Sequence, residues 1–412
     1  MRVIVWGINY APEIIGIGPH NTALCEFLQA QGHEAEMLTS FCYYPAWSKL
    51  PGDRWRLFRT DLINGVPVHR CWHYVPRRKN ALARIVHEFT FVKSSLLKCL
   101  TLRRPDVLVV VSPPLLLGAA AWLAGLLKGT PCVFYVKDLQ PDAALGLGML
   151  KKSLFTRLLY ALESFAYSKA ALVCGISDGM LDAFRKKGVP ENKLVYFPDG
   201  IRLPAAGEIT DGARFRERHG FQQDDFLAIY SGNLGVKHGL GNVVKAASMI
   251  KNPRVKIILC GDGADRGPLE AVIKQSNLKN VSMLPLQSDA DYREMLCAAN
   301  ICLIPQLKGS GQAFFPSKLL NALAFGKPVL TVADTDSELW RALAMGKFGE
   351  NILPDETEKT ARILDDLASA PDRLAAMGKA GRKFVEKYER TAVLNRFTET
   401  LTAFCKERSG KS

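Results

Sequence analysis

At 412 residues the chain exceeds one compact domain, since domains run to about 100–200 residues, and two are expected. With 48% apolar and 23% charged residues it is neither disordered, collagenous nor coiled-coil. Lys and Arg number 54 against 40 Asp and Glu, a balance of +14 that favours anionic company: nucleic acid, phosphorylated small molecules or an anionic membrane face. Residues 1–200 carry 24 basic and 15 acidic side chains (+9), leaving 30 and 25 (+5) for residues 201–412.

In chain order, the first strand reads RVIVWG, followed by a glycine-bearing loop and a helix over Thr22 to Gln31. AEMLTS, VPVHRCW, VLVVV, CVFYV, ALVCG and LVYF continue the series, most of them followed by a helix-length segment. Runs apolar on both faces and joined by helices define a parallel doubly wound sheet. Val107 to Leu127 is uncharged and long enough to span a bilayer. Ser112-Pro113-Pro114 interrupts it, so it reads as a buried strand, Val107 to Val111, and a helix, Leu115 to Leu127. Between Phe197 and Asp225 the periodicity fades into Pro, Gly and acidic residues, which places the domain junction there. The pattern restarts with FLAIYSG, VKIILCG, VSMLP, ICLIP and PVLTV. The fold class is therefore α/β: two Rossmann-like doubly wound domains, 1–200 and 201–390, facing a cleft. Ligands of such sheets bind beyond the carboxyl ends of the strands.

Ten cysteines, without any C-x-x-C pair and several inside apolar runs, read as reduced core residues. The opening MRVIVWGINY has no long hydrophobic region and no small-residue cleavage site, so the cytoplasm is the expected compartment.

The loop after the first strand lacks the G-x-G-x-x-G spacing of a dinucleotide site, and no G-x-x-x-x-G-K-[ST] occurs anywhere. Gly16 and Gly18, directly before a helix, allow close backbone approach to phosphate oxygens, or form an ordinary strand-to-helix turn. The second domain opens with a strand running into Gly232-Asn233-Leu234-Gly235-Val236-Lys237, a glycine-punctuated loop whose Lys237 either neutralises a diphosphate or is a surface lysine. Gly261 ends the next strand and joins Gly232 and Asn233 as a donor-binding candidate. After ICLIP, Ser317 and Lys318 fall at a helix start, again an anion-ready position. Two lysines at two strand ends of one domain make a convergent anion site.

Asp138 and Asp142 follow the fifth strand of the first domain, to face the cleft or to cap the turn. Asp334-Thr335-Asp336 mimics a Mn2+-holding D-x-D but lacks a second acidic cluster, and the seven histidines show no metal-ligand spacing. No metal site is expected. Gly175-Ile176-Ser177-Asp178-Gly179 only superficially matches a hydrolase nucleophile elbow. Between Arg70 and Arg104 nine basic residues, among them Arg77, Arg78 and Lys79, accompany one acid, Glu88, with aromatics interleaved. Arg84 to Leu102 suits a helix lying on an anionic bilayer, or a solvated helix packed on the sheet. No nucleic-acid reader motif appears, and no nucleic-acid partner is expected.

These pieces resemble the retaining glycosyltransferases of family 4, of GT-B fold, and among them the colanic acid biosynthesis glycosyltransferases of bacterial exopolysaccharide pathways. The likeness runs over essentially the whole chain, on GINYAPEIIGIG, FCYYPAW, LGLGML, YSGNLGVKHGL, LPLQS and PSKLLNALAFGKPV. It implies sugar transfer from a nucleotide-diphosphate donor, with no other cofactor, to a lipid-linked or other glycan acceptor at the inner membrane face, where the protein binds peripherally. It also implies that Gly16 and Gly18 lie near the donor diphosphate, that Lys237 and Lys318 stabilise it, and that backbone groups from Leu284 to Leu286 hold the base. Residues 391–412 would form a helix returning to the first domain. The family's two glutamates are replaced here by Ala313 and Asn321. Asp138 would orient the sugar or acceptor. A nucleotide-sugar epimerase of the same build and a non-catalytic nucleotide-sugar-binding subunit are the competing readings.

Overall fold

The apolar runs become the strands of two sheets in a computed structural model that describes residues 1–13, 16–77, 81–146, 153–309 and 317–410. The chain divides into two compact units, Met1–Gly200 with Thr391–Ser412, and Ile201–Arg390.

The first unit begins β1 (Arg2–Trp6), α1 (Gly18–Ala30), β2 (Glu34–Ser40), β3 (Phe58–Ile63), β4 (Val66–Cys71) and α2 (Ala81–Thr101). It continues β5 (Val107–Ser112), α3 (Leu117–Lys128), β6 (Cys132–Val136), α4 (Gln140–Gly146), α5 (Leu154–Lys169), β7 (Leu172–Gly175), α6 (Asp178–Lys186) and β8 (Leu194–Tyr196). The sheet order is β3-β4-β2-β1-β5-β6-β7-β8. Its strands pair in parallel except β3, which runs antiparallel to β4.

Strand β3 departs from the all-parallel expectation, and its cause is local. Asn64 and Gly65 both take positive φ, 50° and 80°, the backbone that a two-residue hairpin requires. Because β3 precedes β4, the strand carrying CVFYV is the sixth of this sheet, not the fifth. Helix α1 starts at Gly18, four residues ahead of Thr22, because Pro19 suits its first turn. The uncharged stretch from Val107 divides at Ser112 into β5 and α3, and among the described residues no helix is long and apolar enough to cross a membrane.

Side chains on one face of this sheet, such as Trp6, Val110 and Phe134, pack with Phe91 of α2, Ala121 of α3, Tyr167 of α5 and Phe184 of α6. Those on the other face, such as Val5 and Val109, pack with Leu24 and Leu28 of α1.

The second unit holds α7 (Ala213–His219), β9 (Phe226–Ser231), α8 (Leu240–Ala247), β10 (Val255–Cys260), α9 (Arg266–Gln275), β11 (Val281–Leu284), α10 (Asp289–Ala298) and β12 (Ile301–Pro305). It closes with α11 (Ser317–Ala324), β13 (Val329–Val332), α12 (Glu338–Gly346), β14 (Gly349–Ile352), α13 (Thr357–Ala368) and α14 (Pro371–Val385). The order β11-β10-β9-β12-β13-β14 is parallel throughout. Helix α15 (Arg390–Ser409) then returns to the first unit, where Val393, Leu394, Phe397 and Leu401 complete the core beside α1. Phe397 stacks on Phe197 with centroids 3.8 Å apart.

Burial pushes the Glu88 carboxyl on α2 up to about 7, against the opposing pull of Arg84. A carboxyl raised in the folded state loses stability as pH climbs from its ordinary value to the raised one. Glu88→Gln is therefore expected to raise the melting temperature at pH 8, by about 2–4 °C for each kcal/mol recovered, and to change little at pH 4. Calorimetry at the two pH values checks this; equal shifts at both would refute it.

Candidate functional site

In the second unit the site is built where β9, β10 and β11 end. Gly232 leaves β9 with φ at 139°, and its N–H donates to the Cys260 carbonyl at 2.9 Å. Gly261 leaves β10 with φ at 141°, and a Cβ there would stand 1.9 Å from the Gly232 carbonyl oxygen. Glycine is required at such an approach, because any side chain must push two parallel strand ends apart. The Gly261 N–H in turn donates to the Leu284 carbonyl at 3.0 Å.

Lys318, the second residue of α11, reaches this double turn. Its Nζ donates to the Tyr230 hydroxyl at 2.8 Å and lies 4.0 Å from the centre of that ring. A Cβ on Gly232 would come within 3.3 Å of the same nitrogen. Tyr230 is fully buried, its phenol pKa raised by burial, and its hydroxyl donates to the Asn233 carbonyl at 2.6 Å. The phenol thus accepts from the lysine while tying down the loop. Lys237 sits on the same loop, inside a 3-10 turn of Val236–His238, and neighbouring His238 lies 5.8 Å from the Tyr230 ring. Both predicted loops therefore meet around Tyr230.

The other predicted residues of this unit divide. Asn321 lies one turn after Lys318 on α11, half-buried, and Ser317 opens that helix. Asn233 is exposed, as is the Leu286 side chain, at 62%. The carbonyls at the end of β11 are already engaged: Leu284 accepts from Gly261 and from Arg266 Nη1 at 3.3 Å, and Pro285 accepts from Gln287 Nε2 at 2.8 Å. Ala313 lies outside the described residues. Arg266, a cation that sequence reasoning passed over, also donates to the Gly261 carbonyl at 2.6 Å. Its signal was the glycine-rich Gly261-Asp262-Gly263 directly ahead of α9.

In the first unit Gly16 takes φ at 75°, a left-handed turn, and a Cβ there would lie 3.7 Å from Tyr44 Cε1. Gly18 belongs to α1 and not to the loop before it, and a Cβ there would meet the Glu13 carbonyl at 2.8 Å. That contact closes the loop upon itself. Glu13 is buried; Oε1 accepts from the Tyr43 and Tyr44 amides, both at 2.9 Å, and Oε2 accepts from Asn9 Nδ2 at 2.8 Å. The loops after β1 and β2 are thereby joined.

Asp138, half-buried, follows β6. Asp142 is absorbed by α4 and its neighbours: it accepts from the Tyr160 hydroxyl at 2.8 Å and pairs with Lys187. Beside Asp138, a group that sequence reasoning missed occupies the ends of β6 and β8. Lys137, buried, pairs with Asp199 and donates to the Tyr135 hydroxyl at 2.6 Å. His20 Nδ1, on α1, stands 3.4 Å from the same carboxylate. Burial opposes ionisation of Asp199, but Lys137 and then His20 outweigh it and hold the carboxyl below its ordinary range. Burial lowers the Lys137 ammonium, and Asp199 restores part of the loss.

Asp334, first of the D-x-D, accepts from the Gly309 amide at 2.6 Å, the work of a loop cap. Among the described residues no three His, Cys, Asp or Glu side chains gather as metal ligands.

Residues 16–200 match the glycosyl transferase 4-like domain, and residues 211–384 match the glycosyl transferases group 1 domain. The chain belongs to the glycosyl transferases built from these two domains. It is 32% identical over 347 residues to WcaI of Escherichia coli (strain K12), a chain assigned to colanic acid biosynthesis as a glycosyl transferase, covering 82% of this chain and 85% of that one. It is 27% identical over 330 residues to WbjE of Pseudomonas aeruginosa, assigned as a glycosyltransferase, covering 77% and 80%. Among solved structures, the sucrose-phosphate synthase of Thermosynechococcus elongatus aligns over 98% of both chains with a TM-score of 0.75 at 17% identity. Anabaena HepE in complex with UDP-glucose aligns over 98% of this chain and 100% of its own, with a TM-score of 0.70 at 15% identity. The fold is GT-B.

Two outcomes test the geometry. Gly261→Ala is expected to lower the melting temperature of the second unit's transition by about 4 °C or more, as a forced side chain at positive φ costs at least about 1–2 kcal/mol. Asp199→Ala leaves the Lys137 ammonium buried and unpaired and is expected to cost about 3–5 kcal/mol in denaturant unfolding. The pair Lys137→Met with Asp199→Ala should recover most of that loss, and a double variant no more stable than the single one would contradict the pairing.

Proposed function

We propose that this glycosyl transferase moves a sugar from a nucleotide-diphosphate donor to a lipid-linked or other glycan acceptor in the assembly of a colanic-acid-like exopolysaccharide, with retention at the anomeric carbon and without metal or further cofactor. The observation that carries the reading is the Lys318 ammonium held by Tyr230 over the Gly232 turn, at the end of a parallel strand. Departure of a nucleoside diphosphate builds negative charge on its oxygens, and a preorganised ammonium stabilises that charge as it develops. Lys237, on the loop that Tyr230 anchors, is assigned to the same diphosphate, and Gly16 and Gly18 are assigned as anion-ready amides of the first unit.

The binding of UDP-glucose by HepE supports a nucleotide-sugar donor here. The likeness to WcaI supports an exopolysaccharide product. Retention follows if the leaving phosphate takes the acceptor's proton on the face it departs from, so that no protein nucleophile is required. Asp138 is assigned to orienting the acceptor or the transferred sugar. Asn321, one turn after Lys318, takes the place of a carboxylate as a neutral hydrogen-bonding group for the donor. The work is peripheral, at the inner membrane face.

Lys318→Ala is expected to lower kcat/KM for transfer by about 10²-fold or more, the loss typical of removing one preorganised donor to a developing oxyanion. Thermal-shift screening of UDP, GDP and their sugars against the native chain identifies the donor, and acceptor-dependent release of that nucleotide measures the variant. Undiminished transfer by Lys318→Ala would overturn the reading.

A further inference from the structure

Strand β3 ends the sheet of the first unit, and among the described residues β4 is its one strand partner. The hairpin fixes which of its backbone groups are engaged. The Trp72 amide donates to the Leu57 carbonyl at 2.9 Å, and the register against β4 runs unbroken from Phe58 opposite Cys71 to Ile63 opposite Val66. Hydrogen-bonded pairs alternate along an antiparallel ladder, so Arg59, Asp61 and Ile63 bond to β4 while the N–H and C=O groups of Phe58, Thr60 and Leu62 point to the open edge.

Soluble proteins guard such an edge with proline, lysine, a bulge or a very short strand. FRTDLI, six residues in regular register, uses none of these. Leu62 is instead exposed at 74%, and just ahead of the strand Leu57 and Trp55 are exposed, Trp55 at 85%. Open backbone groups and exposed apolar side chains therefore share one edge.

The charges on β3 are one of each sign, two residues apart. Arg59 Nε and Arg70 Nε each donate to the Asp61 carboxylate at 2.7 Å. Burial opposes ionisation of Asp61, but Arg59 and Arg70 outweigh it and hold the carboxyl below its ordinary range. Two β3 strands set antiparallel about a two-fold axis at Thr60 bring Thr60 opposite Thr60, Phe58 opposite Leu62 and Arg59 opposite Asp61. The open-edge residues then exchange hydrogen bonds, and the opposite charges meet at the intervening positions, where side chains come closer. Moving the axis by one residue sets Arg59 against Arg59 or Asp61 against Asp61, and moving it further shortens the overlap. The charge pattern selects a single register.

We propose that the β3 edge binds a second copy of the chain, the two β3 strands pairing antiparallel about Thr60 and joining two eight-stranded sheets into one. Such a contact is self-complementary, as a two-fold interface must be. It also covers Leu62 with Phe58 of the second copy, and it brings Trp55 and Leu57, at the start of one strand, beside the Asn64-Gly65 turn at the end of the other. This contact lies wholly within the first unit and is independent of the donor chemistry of the second.

Sedimentation equilibrium of the full chain, paired with hydrogen exchange, tests the pairing. The native chain is expected to form a dimer, with the amides of Phe58, Thr60 and Leu62 exchanging more slowly as concentration rises. Leu62→Lys, at an exposed position, sets an ammonium against Phe58 of the second copy and is expected to weaken dimerisation about tenfold or more, with the circular dichroism and melting temperature of the dilute chain unchanged. A native chain that stays monomeric, a native dimer whose three amides exchange as fast as in the monomer, or a Leu62→Lys chain that dimerises as tightly as the native one would each overturn the inference.

Discussion

No Cβ fits at Gly261, because it would stand 1.9 Å from the Gly232 carbonyl, and the second unit's site depends on that approach. Two neighbouring parallel strands end at the same level, and both chains must turn at once in the space of one. With both residues reduced to backbone, the β9 and β10 ends come close enough for the Gly232 amide to reach the Cys260 carbonyl. The turn then stays open on the side from which α11 delivers Lys318. The polar tip of Tyr230, the penultimate residue of β9, links that lysine to the loop carrying Lys237.

Each unit positions a lysine through a different acceptor. In the first, Lys137 meets a carboxylate, so its charge is cancelled within the protein. In the second, Lys318, at the start of α11, donates to the Tyr230 phenol, which orients the ammonium. The carboxylate pair ties the ends of β6 and β8 together, and the phenol contact ties α11 to the end of β9.

Much of the fold was legible because strands buried on both faces read as unbroken apolar runs, as VLVVV and CVFYV do. Strand β3 was not, since FRTDLI sits at a sheet edge with alternate side chains half in water, and its one strong sign was the Asn64-Gly65 pair. Lys318 was legible from its place at a helix start after a strand. Tyr230 was not, for inside FLAIYS it looks like any core aromatic, and only the folded chain shows what its hydroxyl touches. The Lys137 and Asp199 pair joins residues 62 apart in the chain, a distance at which no local pattern operates. Which side of α2 faces the core was not legible, because apolar and basic residues are intermixed along that helix and packing settles its orientation.

Helix α15 has a consequence for synthesis. The sheet of the first unit is complete by Tyr196, yet Phe197 and Tyr135 lack their aromatic cover until Phe397 arrives some two hundred residues later. The ribosome must synthesise Phe397 before that flank can be sealed. Until then a nascent chain carries an open greasy seam on an otherwise assembled half, a window in which chaperones have something to hold.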